Sequence, residues 1–383
     1  MNKYLYTLLI AQFLSAFADN TVLFTIIAVV LQSAQPGWYV PALQGVFLAA
    51  FLVLAPWVGG FADKYPKSWV LIIANLLKAG GAGLLLLHVE PLIAYCVVGV
   101  GAAVFSPAKY GILPELVGRH ALVKANSWIE GSTILAILTG MVVGAKVADY
   151  SVNWALSGSI ALFLISAAAS LLLPKAAGKT EPGGWKVWIF YQKIRSFLAK
   201  PRSQFAVLGG ALFWATAACV RVIIIAWAPL VLMAHNADDI AELTLFLALG
   251  IITGAALVPR LIPLEHIRRT CFPAYCMGLL IIALSFTEAV WPARSVLFFM
   301  GAAGGMMIVP INAALQEIGK QSIGSGCAVV TQNFFQNFAM LLSVGLYTIA
   351  ASQQVVPMTA LIALGALVIT ATTLLMLHLP DIS

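Results

Sequence analysis

Charge is what this chain has least of. Only 9% of its 383 residues are Asp, Glu, Lys or Arg, against about 25% in soluble domains. Hydrophobic residues fill 62% of the positions, too many for a fold whose surface meets water. Cysteine is scarce: Cys96, Cys219, Cys271, Cys276 and Cys327 are the five, and no pair has CxxC spacing. That excludes a zinc ribbon and a disulfide framework, and leaves the thiols as small apolar fillers. Catalytic signatures are missing too. No histidine is followed by an acid at the acyltransferase spacing, and there is no Gly-x-Ser-x-Gly elbow. Gly178, Lys179 and Thr180 mimic the end of a phosphate loop, but Leu173 stands where its first glycine belongs. No ATP site, metal or other cofactor is therefore expected, and no enzyme activity.

What the chain has in abundance is long apolar runs. Twelve recur, at about 7–31, 41–61, 69–88, 92–112, 126–148, 152–173, 204–232, 241–262, 270–289, 293–315, 327–350 and 357–378. About 20 residues in a helix cross a hydrocarbon core of ~30 Å. Strands are excluded, because open sheets cannot span lipid and no alternating barrel pattern is present. The fold class is thus an all-α membrane protein with twelve transmembrane helices. The first run is too long for a signal-peptide core. Basic residues set the orientation. With a cytoplasmic N-terminus, most of the 21 Lys and Arg fall in inner loops, among them Lys64, Lys67, Arg119, Lys124, Lys193 and Arg202. Glu90, Asp149 and Glu288 fall outside, so both termini are cytoplasmic. The net charge of +7 is a topology signal spread over loops, and no nucleic-acid partner is expected.

The longest polar connection divides the runs six and six. The expected domains are a six-helix bundle over 1–174, a basic cytoplasmic linker over 175–203 and a second six-helix bundle over 204–383. A weak echo links the halves: Gly101-Ala102-Ala103 precedes Pro107 and Glu115, as Gly301-Ala302-Ala303 precedes Pro310 and Glu317. Repeated halves of this kind imply a transporter with its site between them, near the midplane.

Charges inside the runs are the sharpest functional signal. A carboxylate at the bilayer centre costs roughly 2.5–3.5 kcal/mol on insertion scales, so such residues face a partner or a polar cavity. Asp19, followed by Asn20, lies mid-way in the first run. Arg221 lies mid-way in the seventh, its counterpart in the other half, and an Asp19–Arg221 pair is expected. Lys109 and Glu130 sit near the inner ends of the fourth and fifth runs and can pair, unless Lys109 snorkels to the interface. Lys78 lies in the third run, one turn after Asn75. Phe17, Phe24, Trp214 and Trp227 are candidates to wall an apolar cavity, though aromatics at helical spacing also serve plain packing.

Gly59, Asp63, Lys64 and Lys67 lie between the second and third runs. Their spacing resembles the signature loop of the major facilitator superfamily, with Pro66 where that loop usually has a second glycine. The resemblance implies a 6+6 facilitator arrangement in which Asp63 and Lys64 latch the cytoplasmic side. It also implies that the first helix of each half lines a central cavity. The third helix is usually peripheral there, which leaves Lys78, like Glu130, a gating or structural pair.

Longer runs resemble a narrower family. They are Ala11-Gln12-Phe13-Leu14-Ser15-Ala16-Phe17-Ala18-Asp19-Asn20, Phe105-Ser106-Pro107-Ala108-Lys109-Tyr110-Gly111, Asn312 to Glu317, and Gln332-Asn333. In collinear order these look like the bacterial lysophospholipid transporters. The resemblance implies a flippase of the inner membrane. It would carry lysophosphatidylethanolamine and lysophosphatidylglycerol to the cytoplasmic leaflet, where a separate acyltransferase re-acylates them. Arg221 or Lys109 would then hold the phosphate, Asp19 and Asn20 the headgroup, and a lateral opening would admit the acyl tail from membrane lipid. Composition alone allows sugar, drug or peptide cargo equally well, and the alternative reading is a facilitator that exports drugs or other small amphiphiles.

Overall fold

A computed structural model describes residues 3–32, 39–175, 187–233 and 237–378. The middle of the expected linker, with Gly178, Lys179 and Pro182, lies outside the described residues. The elements are α1 (Lys3–Gln32), α2 (Tyr39–Lys64), α3 (Lys67–Leu86), α4 (Pro91–Gly111), α5 (Leu113–Leu116), α6 (Leu122–Tyr150) and α7 (Val152–Ser170). They continue with α8 (Val187–Leu198), α9 (Pro201–Val231), α10 (Ala237–Leu261), α11 (Cys271–Leu284), α12 (Val290–Gln321), α13 (Ser325–Ser352) and α14 (Pro357–Leu377). A 3-10 turn, Leu264–Thr270, leads into α11. No strand occurs among the described residues. Among the described residues, twelve spans are long and apolar enough to cross a membrane, so the all-α architecture follows the sequence.

Local chemistry explains where the helices begin. Proline opens α4, α9 and α14, where its missing N–H costs nothing. The Glu90 carboxylate accepts from the backbone N–H of Leu92 at 2.8 Å and of Ile93 at 3.2 Å, capping α4. Ser151 caps α7 through Trp154 N–H. Pro56, Pro107, Pro229, Pro259 and Pro310 lie inside helices, which membrane helices tolerate where neighbours re-satisfy the freed carbonyls. Helix faces that look outward stay apolar, as at Val53, Trp69, Leu76 and Leu346.

Contacts divide the chain into two compact units. One comprises Met1–Arg119, Ser132–Ser196 and Gln316–Phe334; the other comprises His120–Gly131, Phe197–Leu315 and Phe335–Ser383. Small residues bring helices close within each. In the first, a methyl at Gly81 would sit 2.9 Å from Ala94 O, and one at Gly101 would sit 2.8 Å from Ala74 O. In the second, Gly250 and Gly254 on α10 meet the backbone of α12, whose Gly301 and Gly305 meet the backbone of α10 in return. This is the small-residue packing that replaces hydrophobic driving force in lipid. It gives the Gly101/Gly301 echo a physical basis in close helix approach.

Candidate functional site

A polar stripe runs along α1. Gln12, Ser15 and Asp19 are spaced by three and four residues, so they share one face. Gln12 is fully buried. Its amide donates to the Ser132 hydroxyl, and its carbonyl accepts from Thr133 Oγ1 at 3.0 Å. Ser15 donates to Asn75 Oδ1 at 2.8 Å; Asn75 Nδ2 donates to Ser166 Oγ at 3.0 Å; Ser166 donates to Ala11 O at 2.7 Å. Helices α1, α3, α6 and α7 are thus tied by side chains within one unit.

At the end of this stripe stands an ion pair. Lys78 Nζ lies 2.6 Å from Asp19 Oδ2 and 3.0 Å from Ser15 Oγ. Its ammonium also lies 4.5 Å from the Phe105 ring centre and 5.7 Å from that of Phe163. An ammonium has three donors, and here a carboxylate, a hydroxyl and a π face surround it. Lys78 is 1% exposed. Its stem passes so close to α4 that a methyl at Gly101 would meet Lys78 Cγ at 2.6 Å. The partner expected for Asp19, Arg221, is therefore not the one used. Lys78 neutralises it from α3, so this helix is no bystander at the site. Asp19 Oδ1 is buried with no hydrogen-bond partner among the described residues. Asn20 turns back to donate to Ala16 O at 2.8 Å.

Arg221 is exposed on α9 and has no hydrogen bond or ion pair among the described residues. Lys109 does not snorkel: it is 8% exposed, with Nζ 4.3 Å from the Tyr110 ring centre. Glu130 accepts from Asn312 Nδ2 at 2.9 Å, joining α6 to α12 in the second unit. Among the expected cavity aromatics, Trp227 is 0% exposed. It packs in the core of its unit. Phe17, Phe24 and Trp214 are half-buried.

A second cluster gathers around Asp63. Its carboxylate accepts from Gly326 N at 2.7 Å and Cys327 N at 2.9 Å, the free N–H groups at the start of α13. Gly324 adopts φ +96° just before this start, and a methyl there would strike Asp63. Nearby, Lys67 pairs with Glu115 at 2.8 Å, Arg119 with Glu317 at 2.7 Å, and Lys320 donates to Pro114 O at 2.9 Å. Ser325 donates to Gly111 O at 3.1 Å. Lys64 is exposed, its Nζ 5.5 Å from the Tyr65 ring centre. Sequence reasoning singled out Asp63 with Lys67 in one loop but did not join Glu115, Arg119, Glu317 and Lys320 to them. The signal available was the polar extension of α12 beyond Leu315, which carries Glu317 and Lys320 on the same helix as the span.

The sequence matches the Major Facilitator Superfamily over residues 8–344. The chain belongs to this superfamily. It is 39% identical over 370 residues to the Lysophospholipid transporter LplT of Klebsiella pneumoniae, covering 95% of this chain and 93% of that one. To the protein of the same name from Cronobacter sakazakii it is 40% identical over 350 residues, covering 89% and 87%. These relatives are named as transporters, in line with the missing catalytic motifs. Among solved structures, the Escherichia coli fucose:proton symporter FucP superposes with a TM-score of 0.76 at 14% identity, over 98% of each chain. The human organic anion transporter TETRAN superposes with a TM-score of 0.74 at 13% identity, over 97% of this chain and 98% of that one. At such identities these two speak for the fold alone. The protein is a multi-pass protein of the bacterial inner membrane.

Proposed function

We propose that this protein transports lysophospholipids, including lysophosphatidylethanolamine and lysophosphatidylglycerol, to the cytoplasmic leaflet, where a separate acyltransferase re-acylates them. The observation that carries this reading is the 39% identity to a lysophospholipid transporter along 95% of the chain. Movement would be by alternating access between bundles 1–174 and 204–383, joined by the linker 175–203, with a lateral opening for the acyl tail.

Arg221 is the group we assign to the phosphate. It is exposed in the apolar middle of α9, and a guanidinium offers a planar, bidentate donor set to phosphate oxygens. Asp19 and Asn20 would read the rest of the headgroup. Oδ2 of Asp19 is taken by Lys78, which leaves Oδ1 for an ethanolamine ammonium. Lys109 is the second candidate for the phosphate. Asp63 with Lys64, and Glu130 with Asn312, would serve the gate.

Flipping of both lysolipids by reconstituted protein tests the assignment. Arg221→Ala should abolish most transport and Arg221→Lys much of it, because the charge alone does not supply the fork. Both variants should fold normally, since Arg221 is exposed. If both flip either lysolipid at the parent rate, the phosphate is held elsewhere.

A further inference from the structure

On the second unit, α9, α13 and α14 enclose an apolar groove of about 450 Å³. We propose that it is a binding site for one anionic phospholipid of the inner leaflet, with an acyl chain in the groove and the phosphate at the start of α9. This occupant is a resident of the bilayer and is distinct from the transported cargo.

Three observations support this. The first is length. Along α9 the groove runs from Pro201 to Ala215 and along α14 from His378 to Leu367. At 1.5 Å per residue these stretches span about 21 Å and about 16 Å. A single leaflet contributes about 15 Å, half of a ~30 Å hydrocarbon core. Both stretches begin at the cytoplasmic ends of their helices, and the α9 end is basic, with Lys200 and Arg202 beside Pro201. The groove therefore covers the inner leaflet and stops near the midplane.

The second is the chemistry of the walls. Small residues, Ala211, Ala215, Ala339 and Ala371, form the wall beside leucines. Ser343 is the one hydroxyl there, and it already donates to Ala215 O and Met340 O at 3.0 Å. The mid-membrane part of the groove thus presents no unmet polar demand and no charge. It suits a hydrocarbon chain and offers nothing to a headgroup.

The third is charge at the mouth. Gln204 and His378 line the cytoplasmic end, and Lys200 and Arg202 flank Pro201 there. The preceding helix, α8, carries Lys193 and Arg195 and exposes Trp188 and Tyr191. An amphipathic basic helix of this type lies in the headgroup plane. Only Ala199 and Lys200 separate it from α9, so the start of α9 is held at phosphate depth. Basic side chains and free N–H groups at a helix start both favour an anion.

The test uses the full-length protein in nanodiscs of phosphatidylethanolamine and phosphatidylglycerol. The probe is a phosphatidylglycerol with a photoactivatable group on one acyl chain. Labelled peptides should map to α9 and α14 along the groove. Ala371→Trp, which fills the groove, should remove that labelling, and Ala339→Trp serves if the first variant unfolds. Lys200→Gln with Arg202→Gln should weaken it about tenfold or more, given the contribution of each basic residue near an anionic surface. A phosphatidylethanolamine probe should label less. Labelling that survives both groove-filling variants overturns the proposal. So does displacement of the probe by equimolar lysophosphatidylethanolamine, which would make the groove a cargo site. Because the readout is labelling, a failure of the transport assignment leaves this result unaffected.

Discussion

Asp19 and Asp63 both stand in apolar helices of this protein, and they are satisfied by different means. Asp19 takes an ammonium, Lys78, from two helices away. Asp63 takes two peptide N–H groups at the start of α13. The first arrangement is built within the first 166 residues, where Ser15, Asn75 and Ser166 continue the hydrogen-bond chain from Lys78, while Asp19 Oδ1 stays without a partner among the described residues. If this pair parted, two charges would be left in an apolar interior. The second arrangement joins residues more than 260 positions apart in sequence, at the loop end of a helix. If it parted, both the carboxylate and the helix start would reach water at the cytoplasmic face. The same chemical group is thus held by a counter-ion in one place and by helix-start N–H groups in the other, and we propose that the first is a fixed strut and the second a releasable catch. The difference lies in what each partner meets when it lets go.

The largest expected effect comes from breaking the strut on one side. Lys78→Met keeps the volume but removes the ammonium in contact with Asp19. Removing one partner of a buried ion pair costs about 3–5 kcal/mol, which should appear as a large drop in thermal stability of the detergent-solubilised protein. Asp19→Asn combined with Lys78→Met should recover most of it, because the orphan charge is gone. A single Lys78→Met that unfolds within a degree or two of the parent would erase the contrast between strut and catch. Asp19→Asn alone leaves the ammonium stranded, so its transport must be compared at matched folded fraction.

Releasing the catch should do less to stability and more to conformation. Asp63→Asn keeps one acceptor oxygen and removes the negative charge facing the helix start. Such a charge is worth about 0.3–2 kcal/mol there. The reporter is disulfide formation between Ser106→Cys and Asn333→Cys in a background without the five native cysteines, since those side chains touch at 2.9 Å. Crosslinking should fall about fivefold, as expected for a loss near 1 kcal/mol, with lysolipid binding nearly unchanged. Unchanged crosslinking with weakened binding would assign Asp63 to cargo instead.

These two regions were not equally legible in the sequence. Hydropathy reads each span directly, because lipid demands about 20 apolar residues and leaves little choice of fold. The catch was legible at Asp63, since its loop carries a fixed spacing of charges. Glu317 and Lys320 were not, because α12 continues past the apolar run ending at Leu315 to Gln321, where hydropathy stops informing. The strut was half legible. Asp19 announced itself as a charge in an apolar run, but its partner depends on how α1 and α3 are rotated, and single-chain periodicity does not fix that. Pseudo-symmetry pointed to Arg221. The better clue was local: Asn75 and Lys78 share a face of α3, as Gln12, Ser15 and Asp19 share a face of α1, and Gly101 clears space for a long side chain between helices.

The smallest expected effect tests how finely the catch is fitted. Gly59 and Gly60 are neighbours on α2, yet only one faces α13. A methyl at Gly59 would sit 3.0 Å from Cys327 Cα and 3.2 Å from its Sγ, whereas a methyl at Gly60 would meet nothing within 4 Å. Replacing either by alanine gains up to about 1 kcal/mol of helix propensity. At Gly59 that gain is offset by overpacking against backbone, typically about 1–3 kcal/mol. The start of α13 must then move away by a few tenths of an ångström, carrying Gly326 N and Cys327 N off the Asp63 carboxylate. Gly59→Ala should therefore lower the 106–333 crosslink about twofold, the net of these opposing terms. Gly60→Ala should leave it at the parent level or raise thermal stability slightly. Equal crosslinking in the two variants would mean that the hydrogen bonds to Asp63 hold α13 without help from the close approach at Gly59.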